Sequence, residues 1–354
     1  MLDALRGSCL RVGVVSCLTM APALSALSAL SALPVLPGAP RAAAAARGQG
    51  PEARVACTVS DPRITEASGL AVSRRHRGIV YIHNDSGDGP RIFAVGPDGR
   101  TRATFTVAGA GNRDWEGMAL GRDGAGRPAL FVADIGDNLG GEWPFVTVYR
   151  VREPAHLRSQ TLRATAFRLK YRDGPRNAES VLIDPRTNRL YVASKRVTGA
   201  ALYAAPARLS AGGVNVLRKV GGAPPVATDA AFAPDGRTFV IRTYTDAHVY
   251  AMSGARPGRR LDVVSLPDQD QGESIAYGLD GTSLLAGSEG TDQPLWRVPL
   301  PAAALPAPRA TSSRSPAAAP REPSERHAGR NALGLGLVAI AAVAAVVVIR
   351  RRRA

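Results

Sequence analysis

Two short polar segments place potential ligand atoms directly after apolar runs. The segment HNDSGDG, residues 83–89, follows the run GIVYI, and the segment DIGDN, residues 134–138, follows LFVA. Carboxylate, amide and backbone oxygens are the ligands that Ca²⁺ prefers in proteins. Asp, Asn, Ser and Gly are also the residues of tight turns, where their side chains bond nearby backbone groups. A cation site and ordinary turn formation are therefore the two competing interpretations of these segments.

Five acidic residues recur about every 50 residues, each close to the start of a short apolar run. They are Glu66, Glu116, Glu179, Asp229 and Glu273. Carboxylates confined together repel one another unless a cation neutralises them or some remain protonated. One interpretation is a cation site, with Ca²⁺ preferred and no other cofactor expected; the other is that the acids pair with arginines such as Arg113 and Arg242. The predicted ligands of the cation are Glu116, Glu179, Asp229, Glu273, Asp134, Asp137 and Asn138.

The same segments carry side chains that could bind or activate a ligand. His83 and Asp134 are the candidate proton acceptors. The candidates for binding a polar or anionic ligand are His83, Asn84, Asp85, Lys195 and Arg242. A lone histidine at a strand end is more often hydrogen-bonded structure, and an arginine in such a place commonly pairs with a carboxylate. The chemical and the structural interpretation therefore both stay open.

The elements that must position these residues are short strands in a repeating order. After each acidic start come a second and a third run rich in Val, Ile, Tyr and Phe, and a fourth follows in most repeats. Asp-Gly and Pro turns separate the runs, which is typical of a β-propeller built from four-stranded antiparallel blades. We count five blades, and the longest interval leaves room for a sixth. The last repeat lacks a fourth strand, and the N-terminal segment ARVACTVSD, residues 53–61, can supply it and close the ring.

This architecture predicts where the polar segments meet. The first strand of a blade lines the central channel, and the second strand runs antiparallel beside it. The start of the first strand and the end of the second therefore lie on the same face of the ring. We expect HNDSGDG to lie beside the acidic strand starts, at the mouth of the channel.

The two ends of the chain are unlike this repeating part. Residues 1–46 have a basic start, an apolar middle and small residues at the end, as in a secretory signal peptide. Residues 47–300 form the predicted propeller, and residues 301–331, rich in Pro, Ala and Arg, a disordered stalk. Residues 332–349 are apolar and span about 27 Å as a helix, enough to cross a bilayer. The basic tail 350–354 should remain in the cytoplasm, which places the propeller outside a single-pass cell membrane.

Charge and cysteine content exclude some classes of partner. The formal net charge is +16, but much of the excess lies in the two ends of the chain, so nucleic-acid binding is not predicted. Cys9 and Cys17 leave with the predicted signal peptide, and Cys57 then has no partner for an intramolecular disulfide. No feature demands an oligomer, and we expect a monomer.

Several motifs in order resemble a group of bacterial proteins. SGLAVS, HNDSGDGPRIFAV, RDWEGMALG, DIGDN, ESVLIDPRTNRLY, ATDAAFAPDGRTFVIRTY and QGESIAYG are similar to segments of secreted, actinobacterial-type β-propeller proteins of the WD40-like, NHL-like or TolB-like kind. The resemblance covers residues 60–300 and implies a propeller outside the cytoplasm, with no activity attached. Calcium-dependent propeller lactonases and alkaline phytases share the architecture more distantly, and their signature segments are not reproduced here.

Two functional hypotheses follow from these patterns. The first is a membrane-anchored surface propeller that acts as a binding or interaction module for a cell-envelope protein, a glycan or a small polar ligand. The second is a metal-dependent hydrolase of phosphoesters or lactones, in which the cation polarises the substrate and His83 or Asp134 acts as the base. The sequence does not decide whether the chain is an enzyme.

Overall fold

A computed structural model describes residues 52–254 and 256–305. This part of the chain is built from strands and contains one short turn of 3₁₀ helix, Ala302–Ala304. The predicted signal peptide, the predicted membrane helix, the basic tail and most of the predicted stalk lie outside the described residues. Among the residues described, no helix is long and apolar enough to span a membrane.

The described residues contain twenty strands, numbered here along the chain. The first ten are β1 (Arg54–Thr58), β2 (Ala67–Val72), β3 (Val80–Asn84), β4 (Arg91–Val95), β5 (Thr101–Ala108), β6 (Trp115–Arg122), β7 (Pro128–Asp134), β8 (Val146–Arg152), β9 (Gln160–Tyr171) and β10 (Ala178–Ile183). The other ten are β11 (Leu190–Ser194), β12 (Ala201–Ala204), β13 (Val214–Gly222), β14 (Asp229–Phe232), β15 (Thr238–Arg242), β16 (Asp246–Ser253), β17 (Arg256–Ser265), β18 (Gly272–Tyr277), β19 (Ser283–Ser288) and β20 (Pro294–Pro299).

The strands form five four-stranded antiparallel blades. Blades 1 to 4 are β2–β5, β6–β9, β10–β13 and β14–β17, and blade 5 is β18–β20 completed by β1. The first strands β2, β6, β10, β14 and β18 each pack against the next, and β18 packs against β2. The ring is therefore closed, and the predicted all-β propeller is confirmed.

The N-terminal strand closes the ring as predicted. β1 pairs antiparallel with β20, with Val55 opposite Trp296 and Thr58 opposite Pro294. This pairing covers an edge that would otherwise expose unpaired backbone groups. A second kind of connection was not predicted: β9 pairs in parallel with β5 at one end and with β13 at the other. The outer edges of blades 1, 2 and 3 are thereby hydrogen-bonded to one another.

The hydrophobic core is divided among the blade interfaces. Five clusters of buried side chains occur, one between each pair of neighbouring blades. The cluster between blades 1 and 2, for example, includes Tyr81, Phe105 and Trp115, which are all fully buried. Truncating such an aromatic side chain to alanine costs about 3–5 kcal/mol. Packing between blades, and not only pairing within them, therefore holds the ring in place.

One residue of the first strands has to be a glycine where three blades meet. A Cβ atom on Gly117 of β6 would lie 2.8 Å from Asp229 Oδ1 and 2.8 Å from the backbone nitrogen of Val181. Both contacts are shorter than a Cβ atom tolerates, so glycine is required where β6 meets blades 3 and 4. The channel is consequently narrow, and side chains at its mouth must lie close together.

Candidate functional site

The glutamates of the channel mouth are placed by β-bulges. In blade 3, Ala178 pairs with Ser194 and Ser180 pairs with Ala193, which leaves Glu179 as an extra residue. A register shift of this kind also occurs at the start of β2, β6 and β18, around Ser68, Glu116 and Glu273 respectively. A bulge re-aims the side chain of its extra residue. In four blades, a β-bulge at the start of the first strand therefore places an oxygen-bearing side chain at the same level of the ring.

Blade 4 completes this level without a bulge. Asp229 pairs with Arg242, and the backbone nitrogen of Thr228 donates to the carbonyl oxygen of Arg242. Thr228 therefore corresponds to the bulge residues of the other blades, and Asp229 lies one position further along. We name this level the oxygen ring. Its members are Ser68, Glu116, Glu179, Thr228 and Glu273.

The oxygen ring differs from the predicted ring in two blades. In blade 1 the ring position holds Ser68, whereas the acidic repeat suggested Glu66. In blade 4 it holds Thr228, whereas Asp229 was expected. A bulge does not alter the spacing of apolar residues. The acidic repeat therefore identified the correct strands, but in these two blades it named a residue one or two positions away from the one at the ring. In blade 5 the residue opposite the strand start at Gly272 is Ser288.

Ring members are joined by hydrogen bonds. Ser68 Oγ donates to Glu116 Oε2 over 3.2 Å, and Thr228 Oγ1 donates to the carbonyl oxygen of Glu273 over 3.1 Å. Lys195 Nζ lies 2.5 Å from Glu179 Oε1. These contacts leave Oε2 of both Glu179 and Glu273 buried with no hydrogen-bond partner among the described residues.

Two further carboxylates lie next to the oxygen ring on its solvent side. Oxygen atoms of Asp85, Asp114 and Glu116 all lie within 4.8 Å of one another. Asp85 and Asp114 are half-buried, whereas Glu116 is only 3% exposed. Oδ1 of Asp85 also has no partner among the described residues. This trio is therefore reachable from the mouth and is continuous with the ring beneath it.

Asp114 was missed from the sequence, although a signal existed. It stands two residues before Glu116 in the segment RDWEG, and alternate residues of an extended chain share a side. The structure brings it against Asp85, which the sequence assigned to ligand binding.

Burial raises the pKa of the carboxyl groups in this cluster. The pKa of Asp85 rises to about 8, first because of burial and then because of the charge of Asp114. Burial likewise raises the pKa of Glu179 to about 8, with the charge of Glu273 adding to the effect. Burial and then the charge of Glu179 raise the pKa of Glu116 well above its usual range. The pKa of Glu273 is raised by burial. Without a cation, these groups must share protons to remain together.

Two cations face the cluster, and each is already engaged. Although burial opposes it, the charges of Glu179 and Glu273 raise the pKa of Lys195. Arg113 Nη2 lies 4.0 Å from Asp134 Oδ1, and its guanidinium lies over the ring of Trp143. The carboxylates therefore outnumber the positive charges that act on them.

Arg242, predicted to bind a ligand, is fully buried between blades 4 and 5. Its nitrogen atoms donate to the carbonyl oxygens of Thr243, Ser274, Gly287 and Tyr244, and to Gln269 Oε1. Burial lowers its pKa to about 10. The Arg242 side chain therefore links blades 4 and 5 and is not available to bind a ligand at the mouth.

Most of the HNDSGDG segment forms the turn that the competing interpretation predicted. Asn84 Oδ1 accepts from the backbone nitrogens of Thr65 and Glu66, and its Nδ2 donates to Arg63 O and Asp88 Oδ2. Asp88 also pairs with Arg91. Of this segment, Asp85 is the carboxylate that belongs to the trio at the mouth.

His83, a predicted proton acceptor, is fully buried beneath the turn. Its Nδ1 lies 2.9 Å from the carbonyl oxygen of Asn84, and its ring contacts the edge of Trp115 with centroids 5.3 Å apart. Burial lowers its pKa to about 4. The imidazole is therefore neutral and packed between blades 1 and 2.

The segment DIGDN also serves mainly to shape a loop. Asp134 Oδ1 accepts from the backbone nitrogen of Asp114 over 3.0 Å. Asp137 accepts from the backbone nitrogens of Glu142 and Trp143, and Asn138 accepts from Asn177. These contacts position the strand start that carries Asp114, while Asp137 and Asn138 brace the outer loop.

Asp229 lies inside the channel, one position beyond the oxygen ring. Its Oδ2 accepts from the backbone nitrogen of Ile275 over 2.8 Å, and its Oδ1 is buried with no partner among the described residues. Burial raises its pKa well above the usual range. Asp229 therefore ties β14 to β18 below the ring.

Comparisons with known proteins add likenesses of architecture only. No protein-family model matches the chain, and no curated protein matches it. Among solved structures, a PQQ-bound aldose sugar dehydrogenase from Streptomyces coelicolor is 13% identical, with a TM-score of 0.42, over 70% of this chain and 98% of that one. A glucose dehydrogenase is 13% identical, with a TM-score of 0.42, over 71% of this chain and 100% of that one. An oxidoreductase described as a glucose dehydrogenase, from Thermus thermophilus, is 15% identical, with a TM-score of 0.38, over 70% of this chain and 100% of that one.

These neighbours correct two expectations. The expected binding or interaction module, and its alternative of a metal-dependent hydrolase, are contradicted because the neighbours are sugar dehydrogenases. The expectation of no cofactor besides Ca²⁺ is contradicted because one neighbour is PQQ-bound. The neighbours support the predicted propeller kind and do not single out WD40-like, NHL-like or TolB-like proteins.

The channel mouth and PQQ, a quinone that carries several carboxylates, both bear negative charge. The cations that act on the mouth cluster are already engaged: Arg113 faces Asp134, Lys195 faces Glu179, and Arg242 donates to backbone carbonyl oxygens. The remaining groups are carboxyls, which repel an anionic quinone. The mouth does not fit PQQ, and we derive no chemical step through it.

Proposed function

We propose that this chain is a cation-dependent enzyme that acts on a hydroxyl group of a small polar substrate at the channel mouth. One observation carries the proposal. Carboxylate oxygens of Asp85, Asp114 and Glu116 lie within 4.8 Å of one another, above buried carboxyl oxygens of Glu179 and Glu273 that have no partner among the described residues. Such a cluster is costly unless a positive charge occupies it.

The donor set favours Ca²⁺ over other cations. All the side chains of the oxygen ring offer oxygen, and Ca²⁺ takes six to eight oxygen ligands in flexible geometry. Glu116, Glu179 and Glu273 would hold the ion, with the hydroxyls of Ser68 and Thr228 on the same level. Water and substrate would fill the positions facing the solvent.

The half-buried carboxylates above the ring would supply the acid–base chemistry. A bound cation polarises an oxygen atom of the substrate. Asp85 and Asp114 lie between this position and the solvent, so either can take the hydroxyl proton. Asp85 is assigned as the acceptor because its Oδ1 has no partner among the described residues, and a bound cation would lower its raised pKa so that it is free to take a proton. Removal of a hydroxyl proton begins the isomerisation of a sugar; in an oxidation the remaining hydride equivalent would pass to an external two-electron acceptor, the part that the dye plays in the test below.

The test compares two aspartates of one segment. The full-length chain would be loaded with Ca²⁺ and given a panel of sugars, polyols and hydroxy acids. Oxidation would be followed by reduction of a dye, and isomerisation by NMR in D₂O. We expect turnover that EDTA abolishes, and a loss of about a hundredfold or more in Asp85→Asn, as for removal of a general base.

Asp88→Asn is the matched control, since Asp88 lies in the same turn but pairs with Arg91. It should retain the activity of the unaltered chain. The proposal is wrong if the Ca²⁺-loaded chain turns over no compound of the panel, or if Asp85→Asn is as active as Asp88→Asn.

We also propose that the propeller is exposed at the cell surface as a monomer and held there by the apolar segment 332–349. The order of signal-like, folded, stalk-like and apolar segments in the sequence supports this location. A substrate would then be a compound available outside the cytoplasm.

A further inference from the structure

A polar cleft opens beside the oxygen ring on the mouth side. It lies between the loop that follows β15 and the segment that precedes β18, and its volume is about 650 Å³. Its walls include Tyr244, Pro267, Asp268, Gln269, Asp270 and Gln271. This volume lies within the range of roughly 300–1,000 Å³ that is typical of small-molecule sites.

The cleft is connected to the proposed catalytic centre by direct contacts. Gln271 Nε2 lies 3.4 Å from Glu273 Oε1, and Lys195 Nζ lies 5.1 Å from the centroid of the Tyr244 ring. Lys195 in turn contacts Glu179. The lining of the cleft is therefore linked to two members of the oxygen ring, directly to Glu273 and through Lys195 to Glu179.

Hydrogen bonds from Arg242 hold the two walls of the cleft in position. Arg242 Nη2 donates to both Gln269 Oε1 and the carbonyl oxygen of Tyr244. Because Arg242 is fully buried, both walls of the cleft are fixed to the interior of the propeller. A fixed wall lowers the ordering cost of binding.

The chemistry of the walls selects the kind of ligand. Tyr244 presents an aromatic ring that is 36% exposed, while Asp268, Asp270 and Gln271 are exposed and offer oxygen acceptors. These groups suit a molecule with one apolar face and several hydroxyl donors. The carboxylates of the cleft and of the neighbouring ring repel anions. A neutral saccharide combines all of these properties.

We infer that this cleft is a binding subsite for a neutral saccharide, stacked on Tyr244 with its hydroxyl groups toward Asp268, Asp270 and Gln271. The inference rests on the proposed function in one respect: it names the class of substrate that would be delivered to the cation centre. Binding in the cleft itself needs neither the cation nor turnover.

The test measures binding by calorimetry with the full-length chain. The probes are glucose, galactose, mannose, N-acetylglucosamine and the β-1,4-linked disaccharides of glucose and N-acetylglucosamine, with glucuronate and spermidine as charged comparisons. We expect at least one neutral saccharide to bind, and Tyr244→Ala to weaken its binding about tenfold. Tyr244→Phe, which keeps the ring, should retain most of the affinity.

Leu279→Ala is the control, because Leu279 is 48% exposed but lies at the opposite end of the channel. It should leave affinity unchanged. Binding of spermidine alone, absence of saccharide binding, or equal affinities for Tyr244→Ala and the unaltered chain would each overturn the inference. Measuring in Ca²⁺ and in EDTA separates the two proposals. Saccharide binding that survives EDTA in a chain without turnover would uphold the subsite while the enzymatic proposal failed.

Discussion

The glutamates at the channel mouth owe their positions to single extra residues in their strands. Glu179 is the unpaired residue of a bulge, and Glu116 and Glu273 lie within the register shifts at the starts of β6 and β18. Bulges commonly re-aim side chains next to functional sites. The arrangement gathers negative charge into a buried space, which only protons or a cation can balance.

Glu179 should be needed for cation affinity. In Glu179→Gln the Oε2 atom that lacks a partner is replaced by a weaker ligand, and we expect Ca²⁺ affinity to fall about tenfold or more. Calorimetric titration with Ca²⁺ measures this directly. Glu153→Gln is the control, because Glu153 is equally buried and its Oε2 likewise has no partner among the described residues, but it contacts Ser73 at the end of β2, away from the strand starts that form the mouth. Equal losses in the two variants would mean that burial of charge, and not ligation, governs the result.

The cation-free protein should lose stability as pH rises. The pKa of Asp85 and of Glu179 is raised to about 8, so between about pH 4 and pH 8 the folded state binds more protons than the unfolded state. The free energy of unfolding therefore falls as pH increases through 8. Urea titrations in EDTA at pH 6 and pH 8.5 measure the trend, and saturating Ca²⁺ should reduce it. Greater stability at pH 8.5 in EDTA would contradict this account of the cluster.

At this scale the sequence predicted residue types better than residue positions. Glu116, Glu179 and Glu273 were expected at the mouth from their spacing, and they lie there. Ser68 and Thr228 were not expected, because a bulge shifts the register without altering the apolar pattern. Asp137 was predicted as a cation ligand, and the structure gives it the backbone nitrogens of its own loop.

The first strands of the blades converge so closely that some of their positions tolerate only glycine. The strongest example is β6, where Gly117 lies against β10 and against Asp229 of β14. The backbones of blades 2 and 3 meet at this point beside the side chain of Asp229, so a methyl group cannot be accommodated by a side-chain rotation alone.

Gly117→Ala should destabilise the ring by about 1–3 kcal/mol, as overpacking does in a close-packed interior. The measurement is the midpoint of thermal unfolding. Gly124→Ala is the matched control in a turn of the same blade, where a Cβ atom meets nothing within 4 Å. A Gly117→Ala variant as stable as Gly124→Ala would show that the channel is wider than described.

Strand order was readable from the sequence because each strand is short, apolar and bounded by turn residues. The closing role of β1 was readable from a missing fourth strand at the other end. The parallel pairing of β9 with β5 and β13 was not, since it depends on how far an outer strand extends beyond its own blade. Such contacts between blades leave no periodic signal.

For the molecule as a whole, the proposed location predicts a simple behaviour. Deleting residues 332–354 should release the chain from the membrane fraction, because the apolar segment proposed as the anchor would be lost. Deleting residues 306–331 is the control and should leave the chain membrane-bound. Fractionation followed by immunoblotting measures how much of each variant remains in the membrane fraction. A chain that stays in the membrane fraction after the first deletion would refute the anchor.

The central claim concerns the ion at the channel mouth. The most direct test is the Ca²⁺ content of the purified full-length chain, together with its thermal midpoint in EDTA and in added Ca²⁺. We predict about one ion per chain, held by a single oxygen-lined site, and a midpoint that falls on chelation and returns when Ca²⁺ is restored. A chain that retains no cation and melts at the same temperature under all three conditions would contradict the account.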